Sequence, residues 1–365
     1  MATTHNISRS IYLSYRLPDL SVSTDLEALF IRISRDGYTI THNLLYASGH
    51  KISIYALRSL IETDMADNDL SVASYTLLIE NADSTVTLAD KSFSVIFCAR
   101  DVGALDESSW LARNFLIADP FRRIPSSATI RLPWIPAQGE TPLLSIAIHA
   151  DAPGSSDLSP VHLPVLRSES PVLPDAPAPD ISFISIPLLS VPEEYGLPSG
   201  AIIRRIDILL GERGASFFID PDLDQAPAFI YRDSFNIQTS VNIPAVTASK
   251  TETDRQLCAL IDRNTITAHR TWKLFSSIFA PLPDSEISAV EDLVASHMTA
   301  ILIPASDPEE PLRQIPIAIT EINIDRQDPD DLTEVSFSYR LADDLDRAVC
   351  NSSSVFTYHF NPVFN

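Results

Sequence analysis

Apolar and polar residues alternate along this chain in runs too short for most helices. SIYLSYRL (10–17), ALFIRISRDG (28–37), HKISIYAL (50–57), SYTLLIE (74–80), STVTLAD (84–90) and FSVIFCA (93–99) follow one another with turn residues between them. A period of two puts every second side chain on one face of a strand, so such a run buries one face and wets the other. Short strands at this spacing fit a β-sandwich. The texture returns in ATIRLPWIP (128–136), PLLSIAIHA (142–150), ISFISIPLLSV (181–191), AIIRRIDILLGERGASFFID (201–220) and APAFIYRDSF (226–235). The 27 prolines against 9 glycines agree with this. Proline breaks helix interiors and central strands, so it belongs at edges and turns. The expected fold is mainly β: tandem β-sandwich-like domains with one short α-helix in the C-terminal domain.

At 365 residues the chain is long enough for more than one domain. We read an N-terminal β domain over 1–104 and a second β domain over 105–235. A C-terminal β domain follows over 236–344, then an extension over 345–365. The second domain carries a proline-rich loop over 151–180, with seven prolines including Pro171, Pro174 and Pro177. The helix is predicted near 284–297. Ile287, Val290, Leu293 and Val294 fall on one helical face there. Asp284 or Ser285 is expected to cap its start. RSLIETDMADNDL (58–70) allows a helical turn, and DESSWLARNFLIA (106–118) allows a short helix with Trp110, Phe115 and Leu116 turned inward.

Charge and motifs exclude more than they suggest. The net charge is −22, and the densest basic spots are the pairs Arg122-Arg123 and Arg204-Arg205. Nucleic-acid binding needs clustered positive charge, so no nucleic-acid partner is expected. No apolar run approaches the ~20 residues of a membrane span, and no membrane insertion is expected. Three cysteines at wide spacing, Cys98, Cys258 and Cys350, make neither a disulfide framework nor a metal knuckle. The opening MATTHNISRSIYLSYRLP has no basic segment before a long apolar run, so no secretory leader is expected.

Nucleophile elbows, phosphate loops and zinc-protease motifs are missing, so the expectation is a non-enzymatic chain with no cofactor, no catalytic residue and no metal. Asp220-Pro221-Asp222-Leu223-Asp224 opens like a calcium loop. However, Gln225 stands where that loop needs glycine and Tyr231 where it needs glutamate. An acidic turn is expected instead. Trp110, Trp134 and Trp272 have apolar neighbours, which favours core positions over sugar stacking.

The order of features in the last third carries a resemblance. FFIDPDLDQAPAFIYRDSFNIQTSVNI (217–243) leads to the predicted helix and to IPIAITEINIDRQDPDDLTEVSFSYRLADD (315–344). A hairpin ending in F-x-Y-R-D-S-F-N, a strand, a short helix, a strand and a final F-S-Y-R-x-A-D strand resemble tail structural proteins of tailed phages and prophages. The likeness is to distal-tail, tail-tip or baseplate-hub types from Bacteroides-type hosts. It covers 217–344, and more loosely 10–150. It implies a virion protein made in the bacterial cytoplasm, forming a homo-oligomeric ring or hub with other tail proteins. It carries no catalytic residues.

The residues expected at assembly interfaces are Pro171, Pro174 and Pro177 in the loop, and Phe356, Tyr358, Phe360 and Phe364 in the extension. The alternative partner is a host-surface glycan, bound by an adhesin-like module. A hydrolase of surface polysaccharide is a third reading.

Overall fold

The structure, a computed structural model, describes residues 3–136, 140, 142–151, 161–163, 180–259, 264–303, 312–325, 332–342 and 348–349. Among these residues the chain is mainly β, with five sheets and four α-helices. Contacts divide it into two compact units. The first holds residues 1–221 and 232–238, and the second holds 222–231 and 239–365.

The first unit contains two sandwich-like modules in tandem. In the N-terminal module, strands Ile11–Leu13, Thr87–Ile96, Val72–Asn81, Ala28–Arg35 and Tyr38–Tyr46 lie side by side in that order. Ile11–Leu13 runs parallel to its neighbour and the other pairs are antiparallel. Alternation does what the sequence requires: Leu29, Ile31 and Ile33 point into the core beside Tyr75, Leu77 and Ile79. The layer above them is a small sheet, Thr4–His5, Leu20–Ser23 and Lys51–Ile54, together with helix α1 (Leu57–Asp67). Leu57, Ile61 and Met65 of α1, spaced four apart, are buried in that core.

Three details differ from the sequence reading. The helical turn allowed at 58–70 is a full helix of 11 residues. Tyr38–Tyr46, absent from the sequence reading, is a strand of nine residues. It pairs with Ala28–Arg35 through the Asp36-Gly37 turn, where both residues have positive φ (49° and 80°), as a two-residue hairpin demands. The run at 10–17 is strand only over Ile11–Leu13 and then tightens into a 3-10 turn. Ser14 is the reason. Its buried hydroxyl donates to Glu62 at 2.7 Å and accepts from the Cys98 amide at 2.9 Å.

In the second module, Val161–Leu163, Leu144–Asp151, Ile202–Leu210, Arg213–Ile219 and Phe121–Ile124 form a five-stranded sheet in that order. Thr129–Trp134 and Ser182–Pro187 form an antiparallel pair, and side chains of both sheets share one core. The pair of strands expected around Gly211 and Gly214 is present as a hairpin. Gly211 opens its two-residue loop at φ 61°. Helix α2 (Glu107–Arg113) is capped by Asp106, whose carboxylate accepts from the Ser109 amide. Trp110, Leu111 and Leu116 pack with Leu13, Ile96 and Cys98 of the first module. Helix α3 (Val191–Glu194) is a single turn.

Segment 232–238 completes this unit and explains the phrase R-D-S-F-N. Phe235 stacks on Trp110 at 5.6 Å. Asn236 sits at φ 57°, and its amide donates to Leu70 O at 2.9 Å. The Asp233 carboxylate accepts from the Phe235 and Ile237 amides, both at 2.9 Å.

The second unit is one antiparallel sheet with one helix, α4 (Asp284–Ala295), buried against it. Its strands include the long pair Ala245–Ala259 and Asn264–Phe279, with Thr299–Ile303, Arg313–Asp325 and Glu334–Leu341. The predicted face of the helix is the buried one. Ile287, Val290 and Leu293 pack on Phe229, Phe279 and Phe337. Its N-cap is Pro283, in extended conformation, rather than Asp284 or Ser285. Proline holds φ near the value it needs and cannot donate, so the chain turns into the helix at the next residue. The acidic run after Asp220 is a 3-10 turn over Pro221–Gln225.

Candidate functional site

Three strands of the second module bring polar side chains to one point on its outer face. In register, Ala147 lies beside Asp207 and Asp207 beside Ser216; in the next row, His149 lies beside Arg205 and Arg205 beside Phe218. The row continues to Arg123 on the parallel edge strand. Asp207 is the hub. It accepts from Arg205 Nε at 2.6 Å, from Ser216 Oγ at 2.5 Å and from His149 Nε2 at 2.8 Å. Burial pushes the Asp207 carboxyl up, but the three hydrogen bonds outweigh it, and its pKa lies below the usual carboxylate value. The Arg205 guanidinium also stacks on Phe218 at 5.5 Å.

Ser, His and Asp together invite comparison with a nucleophilic triad. A triad needs histidine between acid and serine, so that the imidazole takes the hydroxyl proton. Here serine and histidine both donate to the same carboxylate. The arrangement fixes side chains in place and does not activate the hydroxyl.

On the same module an open cleft of about 510 Å³ is lined by Ser109, Arg113, Glu140, Gly211 and Glu212. Its carboxylates are engaged. Glu212 pairs with Arg113 at 3.0 Å. Glu140 takes both terminal nitrogens of Arg213, at 2.6 and 3.0 Å. Arg213 is fully buried; it also donates to Leu111 O and Ile135 O and lies 5.1 Å from the Trp134 ring. Its three kinds of contact tie α2, the segment after Trp134 and the sheet together.

Pro171, Pro174, Pro177, Phe356, Tyr358, Phe360 and Phe364 lie outside the described residues. So do DPEE (307–310) and DPDD (328–331), which the sequence reads as acidic turns. Trp110 and Trp134 are core residues, 8% and 1% exposed, and present no ring to a sugar. Among the described residues no group of three or more His, Cys, Asp or Glu side chains is placed to hold a metal ion, and no helix is long and apolar enough to cross a membrane. Sequence reasoning missed the Asp207 hub. Its residues come from three strands and meet only through register. The sole local signal was the charged pattern R-R-I-D inside an apolar run (204–207).

No family model and no curated protein matches the chain. Among solved structures, the full extracellular region of plexin A4, domains 1 to 8, aligns at 9% identity and a TM-score of 0.21, covering 93% of this chain and 40% of that one. A second plexin A4 structure, domains 1 to 10, aligns at 8% identity and a TM-score of 0.22, covering 93% and 31%. The chain thus spans less than half the length of either. TM-scores of this size carry no inference of fold or function.

Proposed function

We propose that this chain is a non-enzymatic structural protein of a phage tail, built into the tail tip, distal tail or baseplate as an oligomer. The observation that supports this best is the second unit, where strands of 15 and 16 residues pair along their whole length beside a sheet covered by one helix. Such an element offers long backbone edges. An unpaired strand edge is a template for adding a strand from a neighbour, and main-chain hydrogen bonds then supply the affinity. The tail-protein resemblance covers 217–344, which includes the strands of this sheet.

Antibody labelling tests the reading. Antibodies raised against the purified chain are expected to decorate one end of the tail in electron micrographs of particles from an induced source culture. Uniformly unlabelled particles, with the antigen free in the lysate, would overturn it.

A further inference from the structure

We infer that the outer face of the second module is a binding site for a neutral oligosaccharide, centred on Asp207 and Arg205. The reading is independent of the tail role, and its failure would leave that role untouched.

The argument starts from shape. Along the central row the floor is low: Ala147, Asp207, Ser216, then Phe121 on the edge strand. Gly214, which has no side chain, sits beside Leu209 in the neighbouring row. Phe121, Phe218 and Leu209 stand around this floor, 55%, 44% and 49% exposed. From Asp207 to Phe121 is two strand spacings, about 10 Å. Ser216 is only 8% exposed, so what a ligand can reach is Ala147 and Asp207 with the exposed side chains flanking them, a stretch of sheet surface about as long as two sugar rings.

Chemistry selects the occupant. A protein partner favours an apolar centre depleted of charge, ringed by polar groups. Here the order is inverted, with the charged hub central and the apolar groups at the flank. Sugars need that inverted order, because their hydroxyls require fixed donors and acceptors while their C–H faces pack on rings. Asp207 accepts three bonds of the roughly four its oxygens can take, which leaves room for one hydroxyl. Arg205 uses only Nε on Asp207, so its two terminal nitrogens have no hydrogen-bond partner among the described residues. They are ready donors. The charge of Arg205 is matched by Asp207, which favours a neutral ligand over an acidic one.

Exposed rings on a sheet also stabilise cross-strand pairs, and Arg205 over Phe218 is such a pair. Cross-strand pairing does not account for Phe121, whose row neighbour is Ser216, nor for the idle guanidinium nitrogens.

The test uses the full chain and soluble neutral oligosaccharides of glucose, galactose and mannose. Saturation-transfer NMR screens for contact, and calorimetry gives affinities. At least one oligosaccharide is expected to bind. Phe218→Ala and Phe121→Ala are each expected to weaken binding by up to about tenfold, with thermal stability held. Phe183→Ala, an equally exposed ring on the module's other sheet, is the control and is expected to change nothing. The assignment is overturned if no neutral sugar binds, or if affinity survives both the Phe218→Ala and the Phe121→Ala substitutions.

Discussion

At the scale of single residues, two charged groups show opposite uses of burial. Arg213 has no exposed surface, and four hydrogen bonds compensate its desolvation. Arg213→Ala removes all four and strands two carbonyls and a carboxylate. Losing one partner of a buried pair costs about 3 kcal/mol or more. We therefore expect a drop of that size in urea unfolding of the first unit; a change within experimental error would contradict it. Asp207 lies nearer the surface, and its folded pKa is below the unfolded value of about 3.9. A depressed carboxyl stabilises the fold above its unfolded pKa, and that contribution fades as pH falls through the folded value. Stability of the wild-type chain should thus decline below about pH 4. Asp207→Asn should be less stable at neutral pH and show a shallower decline over the same acid range. Parallel curves for the two proteins would refute the assignment.

At the scale of elements, α4 answers why a chain of strands pauses for a helix. A sheet with one apolar face needs a covering layer, and Ile287, Val290 and Leu293 supply it over Phe229 and Phe337. Leu293→Ala opens a cavity in a fully buried site and is expected to destabilise the second unit by about 3 kcal/mol. Denaturant titration followed by hydrogen exchange at Thr299–Ile303 would measure it. This helix was legible because its period of 3.6 stood out against a background of two. The same logic found the hairpin turning at Gly211.

Alternation failed where side chains do more than pack. Ser14 ends a strand early because its hydroxyl is captured by Cys98 and Glu62. Tyr38–Tyr46 escaped notice because, at a sheet edge, little of it is buried and its polar and apolar residues do not alternate cleanly. The Asp207 hub was illegible for a different reason. Register across three strands sets it, and register is a property of the fold that no local window contains.

At the scale of the whole molecule, the first unit holds two sandwich modules and the second a long-stranded sheet with one helix. A seven-residue segment, 232–238, belongs to the first unit although the chain on both sides of it belongs to the second. The proposed role as an assembled tail part rests on the long strand edges of the second unit and on the sequence resemblance, and a net charge of −22 adds repulsion between copies that are not assembled. Quantitative mass spectrometry of phage-like particles purified from an induced source culture tests that claim most directly. The account predicts this chain in the particles at a fixed ratio to the other tail proteins. Its absence from purified particles, with the protein free in the lysate or on cells, would contradict it.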